Sequence, residues 1–158
     1  KRTGTRRRDQ NPAPQMLNYS CSDGRSFWLL GLEADRHWPG FLEAIGRHDL
    51  GEEPRFRNAV ERSKNCGELI GILDAHFATD TYAHWTGRFD AHDVWWAPLN
   101  SIPEAIEDPQ VIASGAFVDM TPQAGEEPYR AVNSPVDFSD YSPTYGPVPK
   151  LGQHTAEW

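Results

Sequence analysis

Residues 94–115 read VWWAPLNSIPEAIEDPQVIASG, and how this stretch divides decides the fold. The apolar run at 94–99 has the length and composition of a short buried strand. Asn100 or Ser101 then caps a helix. Ser101 and Glu104 have capping-box spacing, in which the hydroxyl and the carboxylate each satisfy a backbone N–H that the first helical turn leaves unpaired. Pro103 falls in that first turn, where its missing N–H costs nothing. Asp108-Pro109 ends this helix and starts another, whose Val111 and Ile112 precede a stop at Gly115. A strand that feeds capped helices is an arrangement that any α/β protein can contain.

Upstream of this stretch, residues 16–20 and 26–32 read as the arms of a β-hairpin. Asp23-Gly24 supplies the positive-φ positions of a tight primed turn. The second arm, SFWLLGL, is nearly all apolar, which predicts burial on both faces. A helix is expected over 37–45, with Trp38, Phe41, Leu42 and Ile45 on one face and Gly46 closing it. A polar passage at 47–54 leads to a short helical piece at 57–63. Asn65 and Glu68 then open a longer helix with Leu69, Ile72, Leu73, His76 and Phe77 as its stripe. Asp80 or Thr79 caps the next one, whose face is Tyr82, Trp85, Thr86 and Phe89. The joint between these two helices is short enough to require an antiparallel hairpin.

Downstream, residues 116–120 and 129–132 read as strands joined by a turn at Gly125-Glu126-Glu127. Prolines at 135, 143, 147 and 149 then exclude regular structure. The tail is expected to be extended up to a helix start at 151–158. Residues 1–15 are polar and irregular, with Arg6-Arg7-Arg8 followed by Asp9-Gln10-Asn11-Pro12-Ala13-Pro14, and read as a solvated linker. The expected organisation is therefore linker 1–15, domain 16–132 and extended segment 133–158.

At 158 residues one domain with a substantial core is expected. A net charge of −8 argues against general binding to nucleic acid or anionic membrane, because phosphate rewards a basic surface. No apolar run approaches the about eighteen residues of a membrane span. Without an initiator Met or a leader-like segment, the sequence reads as mature or as part of something longer. Cys21 and Cys66 are too few for a disulfide framework and read as reduced thiols in a cytoplasmic protein, an isolated bridge being the weaker option.

Four segments, by their order and spacing, carry a resemblance to the family III CoA-transferases, the group of formyl-CoA transferase, carnitine CoA-transferase and α-methylacyl-CoA racemase. The first is Ser22-Asp23-Gly24-Arg25 before an apolar strand. The second is Trp38 followed by Gly46-Arg47 and Pro54-Arg55-Phe56. The third is the run from Thr81 to Trp85 before APLNSIPEAIEDPQVIASG, and the fourth is the run from Pro135 to Phe138 leading into Leu151-Gly152-Gln153-His154-Thr155. The likeness covers nearly the whole chain from about Met16.

The resemblance implies an α/β small domain, α+β-like, with a small antiparallel sheet flanked by helices and a Pro-rich tail that returns to a Rossmann-like large domain absent from this sequence. It implies acyl-CoA and a carboxylate acceptor as substrates, CoA thioester rather than a covalently bound cofactor, and an interlocked homodimer. The family nucleophile, an aspartate passing through mixed anhydrides and thioesters, belongs to the large domain. By this reading the isolated chain is an inactive fragment of a CoA-transferase, with a racemase-type isomerase as the alternative.

Three groups of residues become candidates through the resemblance. Glu33, after Gly31-Leu32, resembles a glutamate at the racemase catalytic centre; an acidic residue near a helix N-terminus is the competing reading. Asp9, Gln10, Asn11 and Pro12 stand where formyl-CoA transferase has a glycine-rich active-site loop, though no glycine is present. Arg6, Arg7 and Arg8 are candidates for a CoA phosphate, since guanidinium pairs well with phosphate oxygens. His76, His84 and His92, near Asp74, Asp80, Asp90 and Asp93, raise metal-dependent hydrolysis, but a helix break near Asp80 separates them, and no metal site is expected. A non-catalytic interaction module, docking a partner through its tryptophans, is the reading from a different class.

Overall fold

The computed structural model describes residues 7–123, 125, 127–136, 139–153 and 155. Arg6 of the basic run, Phe138 and His154 of the fourth matching segment, and residues 156–158 of the expected C-terminal helix lie outside them. The chain divides into two compact units, Lys1–Leu99 and Asn100–Trp158, a boundary different from the 15/16 and 132/133 divisions expected from the sequence.

In the first unit, β1 (Asn18–Ser20), β2 (Ser26–Leu29) and β3 (Trp96–Pro98) form an antiparallel sheet in the order β1-β2-β3. Tyr19 pairs with Phe27, and Leu29 with Trp96. The hairpin differs in detail from its expected form. Its loop is three residues long: Cys21 N–H donates to the Arg25 carbonyl at 2.8 Å, and Gly24 N–H donates to the Cys21 carbonyl at 3.1 Å. Only Gly24, at φ 79°, takes the left-handed conformation, so this is a turn followed by a one-glycine bulge. Asp23 is free to act elsewhere, and its carboxylate accepts the Arg25 and Tyr82 N–H groups at 3.2 and 3.0 Å.

Two strand expectations need correcting. Trp28 is 38% exposed, so β2 is buried on one face only. β3 is shorter than 94–99 and half-buried. Both follow from the sheet being covered on one side alone, where Tyr19, Phe27 and Leu29 meet the helices.

α1 (Trp38–Ile45) buries Trp38, Phe41, Leu42, Ala44 and Ile45 and ends at Gly46, as the periodicity predicts. The polar passage after it contains a helical turn, α2 (Asp49–Glu52), made possible because Leu50 is fully buried. α3 (Ala59–Lys64) is capped by the Asn58 side chain, which accepts the Glu61 N–H. α4 (Cys66–Phe77) lacks the expected cap. Asn65 instead donates to the Arg55 and Glu61 carbonyls, and Glu68 pairs with Arg55. α5 (Tyr82–Ala91) is capped by Thr81, rather than Thr79 or Asp80, through the His84 N–H at 3.3 Å.

Phe77 is the hub of the core, with its ring 5.0–5.3 Å from those of Tyr19, Phe27 and Trp85. The Trp85 indole N–H donates to the Phe77 carbonyl at 3.0 Å, so this buried polar tip is satisfied.

The amino-terminal residues are not a free linker. Short 3-10 turns at Arg8–Gln10 and Pro14–Met16 lie on α4, which is why Ile70 of α4 is buried where the predicted stripe has Ile72. Tyr19 hydroxyl donates to the Pro14 carbonyl at 2.7 Å, and Gln15 is 5% exposed.

The second unit holds α6 (Ile102–Glu107), α7 (Pro109–Ala113) and an antiparallel pair of β4 (Phe117–Met120) and β5 (Tyr129–Val132). The capping box forms: the Glu104 carboxylate accepts the Ser101 N–H at 2.8 Å. Asp108 closes α6 and caps α7 by accepting the Gln110 and Val111 N–H groups at 2.8 and 3.2 Å. Asn133 extends the pair through the Ala116 and Gly115 carbonyls, and the Tyr145 hydroxyl hydrogen-bonds Asn133, folding the tail back on its own unit. Among the described residues no helix is long and apolar enough to cross a membrane.

Candidate functional site

The first unit carries a solvent-open cavity of about 240 Å³ where β2 leaves the sheet and the chain turns into α1. Three backbone segments shape it. Leu30 N–H donates to the Trp95 carbonyl and Gly31 N–H to the Gln15 carbonyl, both at 2.9 Å, so the loop at 31–37 starts from a fixed point. Gly31 is required there, since a Cβ would sit 2.8 Å from the Gln15 Cβ and 3.0 Å from its carbonyl oxygen.

The third segment enters through Asp93. With φ 53° it is the one non-glycine residue in the left-handed region among those described. Such strain persists only where the surroundings hold it, and it concentrates at functional positions. Leu29, Phe41 and Trp95 give the cavity an apolar side; Gln15, Arg36, His37, His92 and Asp93 give it a polar one. His37 packs against Trp95 with ring centroids 4.8 Å apart.

Glu33 lies beside this cavity without lining it. Its carboxylate accepts one N–H from Arg36 at 2.8 Å, and Arg36 is part of the cavity wall. This bond and the guanidinium charge hold the Glu33 carboxyl below the usual glutamate range. Glu33 also stands one turn ahead of α1, its carbonyl accepting the N–H of His37, the residue before Trp38, at 3.0 Å, so its place near a helix start holds alongside its place beside the cavity.

The loop carrying Glu33 is anchored from below by Arg62, which is 2% exposed. Its guanidinium donates to the Ala34 carbonyl at 2.8 Å, to Asp35 Oδ1 at 2.6 Å and to the Phe56 carbonyl at 3.0 Å, and it lies 4.5 Å from the centre of the Trp38 ring. Burial pulls the Arg62 pKa down and Asp35 acts the other way, yet arginine has range enough to stay charged.

The remaining sequence candidates are placed elsewhere. Asp9 and Gln10, in the 3-10 turn Arg8–Gln10, lie against α4, and none of Asp9, Gln10, Asn11 and Pro12 lines the cavity. Cys66 Sγ donates to the Asp9 carbonyl at 3.6 Å, and the Asn11 side chain accepts the Ala13 N–H at 3.0 Å. Among the described residues of this amino-terminal stretch, only Gln15 reaches the cavity.

Arg8 is already engaged. It donates twice to Asp74, at 2.5 and 2.9 Å, and to the Asn18 carbonyl at 2.7 Å, so a phosphate would have to displace an intact bidentate pair. Arg7 is exposed and pairs with Asp9 at 3.1 Å.

The three histidines diverge. His76 Nε2 lies 2.8 Å from the Ile45 carbonyl, His84 Nδ1 lies 3.5 Å from Asp80, and His92 faces the cavity. Among the described residues no three His, Cys, Asp or Glu side chains are grouped to hold a metal ion. Cys21 and Cys66 are free thiols.

Sequence reasoning missed Arg36, His37, Asp93 and Trp95 as a group. The available signal was Asp93, a non-glycine residue placed where the chain must reverse from α5 into β3.

Comparison with known proteins gives a consistent result. The profile of CoA-transferase family III matches residues 1–155. The chain is 27% identical over 150 residues to the (R)-2-hydroxy-4-methylpentanoate CoA-transferase of Clostridioides difficile, covering 94% of this chain and 37% of that protein. It is 28% identical over 148 residues to the 2-methylfumaryl-CoA isomerase of Chloroflexus aurantiacus, covering 89% and 36%. The crystal structure of a CaiB/BaiF family protein from Brucella suis superposes with a TM-score of 0.69 at 23% identity, covering 93% of this chain and 38% of that one. The chain thus spans little more than a third of the length of the curated relatives it matches.

Proposed function

The chain belongs to CoA-transferase family III, and from that premise we propose that it forms the small-domain portion of an enzyme that moves coenzyme A between carboxylic acids. The observation that carries this reading is a family match running from residue 1 to residue 155, with relatives that act on acyl-CoA thioesters by name. The nucleophile is an aspartate outside these 158 residues. It passes through mixed anhydrides and thioesters, which divides one difficult acyl transfer into easier steps. Coenzyme A is a substrate and group carrier here. In this reading the cavity beside Glu33 shapes the acyl-handling side of the site, and two copies interlock in the complete enzyme. Of the two described members of the basic run, Arg7 and Arg8, Arg7 is the more exposed and is the one left for a CoA phosphate.

A second reading, acyl-CoA isomerisation, is favoured by Glu33 itself. Its carboxylate stands on the loop after β2, next to the cavity, and in this reading it serves as the general base for a proton α to the thioester.

The test is to assay the 158-residue chain, and the longer protein expected to contain it, with acyl-CoA donors and carboxylate acceptors. Turnover by the longer protein alone is expected. Robust turnover by the 158 residues alone would overturn the small-domain reading. Exchange of the α-hydrogen with solvent in the absence of an acceptor would select the isomerase.

A further inference from the structure

We propose that the cavity beside Glu33 is a carboxylate subsite with Arg36 as its clamp: a small monocarboxylate takes the Arg36 guanidinium from Glu33 and lays its apolar body on the exposed Trp95. The biological meaning of this subsite rests on the acyl-transfer reading, whereas its binding chemistry does not.

Size comes first. About 240 Å³ holds roughly eight water-sized volumes, and lies below the roughly 300–1,000 Å³ of pockets that take larger organic ligands. An acid of similar heavy-atom count to that estimate fits, whereas a whole coenzyme A is too large to be held within it.

Charge comes second. Arg36 donates one N–H to Glu33, leaving most of the guanidinium fork available. Both partners are largely exposed, 76% and 54%, and pairs of that kind are weak and exchangeable. A free carboxylate is not tied to Arg36 by the short i,i+3 connection, so it is able to align both oxygens with the fork. Asp93 in the same wall disfavours a second negative charge, so a monocarboxylate is accepted over a dicarboxylate. His37, His92 and Gln15 complete the polar side and can hydrogen-bond a substituent on the acid.

The exchange has a consequence for Glu33. Once Arg36 turns to the incoming acid, the cation that depresses the Glu33 carboxyl is lost, and Glu33 becomes a stronger base as the subsite fills.

The experiment titrates 3-methylbutanoate into the 158-residue chain and follows the Arg36 Nε–H and Trp95 indole resonances by NMR. Saturable binding that shifts both is expected. Arg36→Gln should weaken it at least tenfold and Arg36→Lys by less, while Glu33→Gln, which removes the internal competitor, should tighten it about two- to fivefold. The neutral 3-methylbutanamide and the dicarboxylate glutarate should each bind at least tenfold more weakly than the acid. Absence of saturable binding, equal affinity in Arg36→Gln, weaker binding in Glu33→Gln, or glutarate or the amide binding as well as the acid would each overturn the proposal. Far-UV circular dichroism establishes that these surface variants remain folded. Coenzyme A transfer does not enter the measurement, so a failed turnover assay and a failed titration are separate results.

Discussion

Replacing Arg62 tests the anchoring of the Glu33 loop most directly. The guanidinium makes two hydrogen bonds to backbone carbonyls, Phe56 and Ala34, and one to Asp35. A hydrogen bond from a charged donor contributes about 1.5–3 kcal/mol, and a carbonyl stranded by its loss pays its own desolvation. The Phe56 bond is buried and should lie inside that range. The Ala34 bond is only partly buried and is set at about 1 kcal/mol. Asp35 is 62% exposed, so its pairing adds less than about 1 kcal/mol.

Arg62→Ala is therefore expected to cost about 3–4 kcal/mol, including the packing of the guanidinium on Trp38. With a urea m-value of about 1.5–2 kcal/mol/M for a unit of this size, the midpoint should fall by about 2 M. Arg62→Met retains much of the volume but leaves both carbonyls unpaired, and should still cost about 2 kcal/mol. Asp35→Asn, which keeps the hydrogen-bond geometry, should cost less than about 1 kcal/mol. Urea unfolding followed by tryptophan fluorescence measures all three. If Arg62→Met were as stable as the parent, the hydrogen bonds would contribute nothing net, and the anchoring argument would fail.

Other expectations follow from single contacts. Glu33 should titrate below an ordinary glutamate by side-chain carboxyl NMR and return to the usual range in Arg36→Gln. Because its folded-state value is the lower one, the pair's stabilisation is present above the unfolded value of about 4.3 and is lost as pH falls through the folded value. Cys21 is 6% exposed and burial, with help from Asp23, raises its thiol to about 11. A thiol-disulfide reagent at pH 8 should therefore modify Cys66 in the native protein and Cys21 only on unfolding; fast modification of both would contradict the burial of Cys21. With the folded-state pKa raised, the neutral Cys21 thiol favours folding at lower pH, and that contribution falls as pH rises past the unfolded value of about 8.5. Gly31→Ala forces a Cβ against Gln15 and should cost about 1–3 kcal/mol in thermal or urea unfolding; a neutral effect would show that the Gln15 contact yields freely.

Much of the local architecture was legible in the residues. Trp38, Phe41, Leu42 and Ile45 repeat with helical spacing, and α1 buries all four. Ser101, Glu104 and Asp108 carry their capping chemistry in their own side chains, and both short helices of the second unit begin where those residues stand. The resemblance to family III was legible too, because it rests on ordered segments along the chain, and the family profile covers them.

What the sequence could not reveal depends on partners distant along the chain. SFWLLGL contains no mark that one face of β2 stays open, and only the sheet's one-sided cover leaves Trp28 exposed. Arg8 looks free for a phosphate until α4 brings Asp74 to it across 66 positions. Arg62 falls in the short helical piece expected at 57–63, where nothing nearby in sequence marks it, yet the loop 27–28 residues upstream closes over it. The cavity joins Gln15, Arg36 and Asp93, three positions with no shared periodicity. Helix faces and caps are written within a few neighbouring residues, so the sequence alone determined them. Burial, ion-pair choice and cavity shape depend on which distant surfaces meet, and only the tertiary structure decided those.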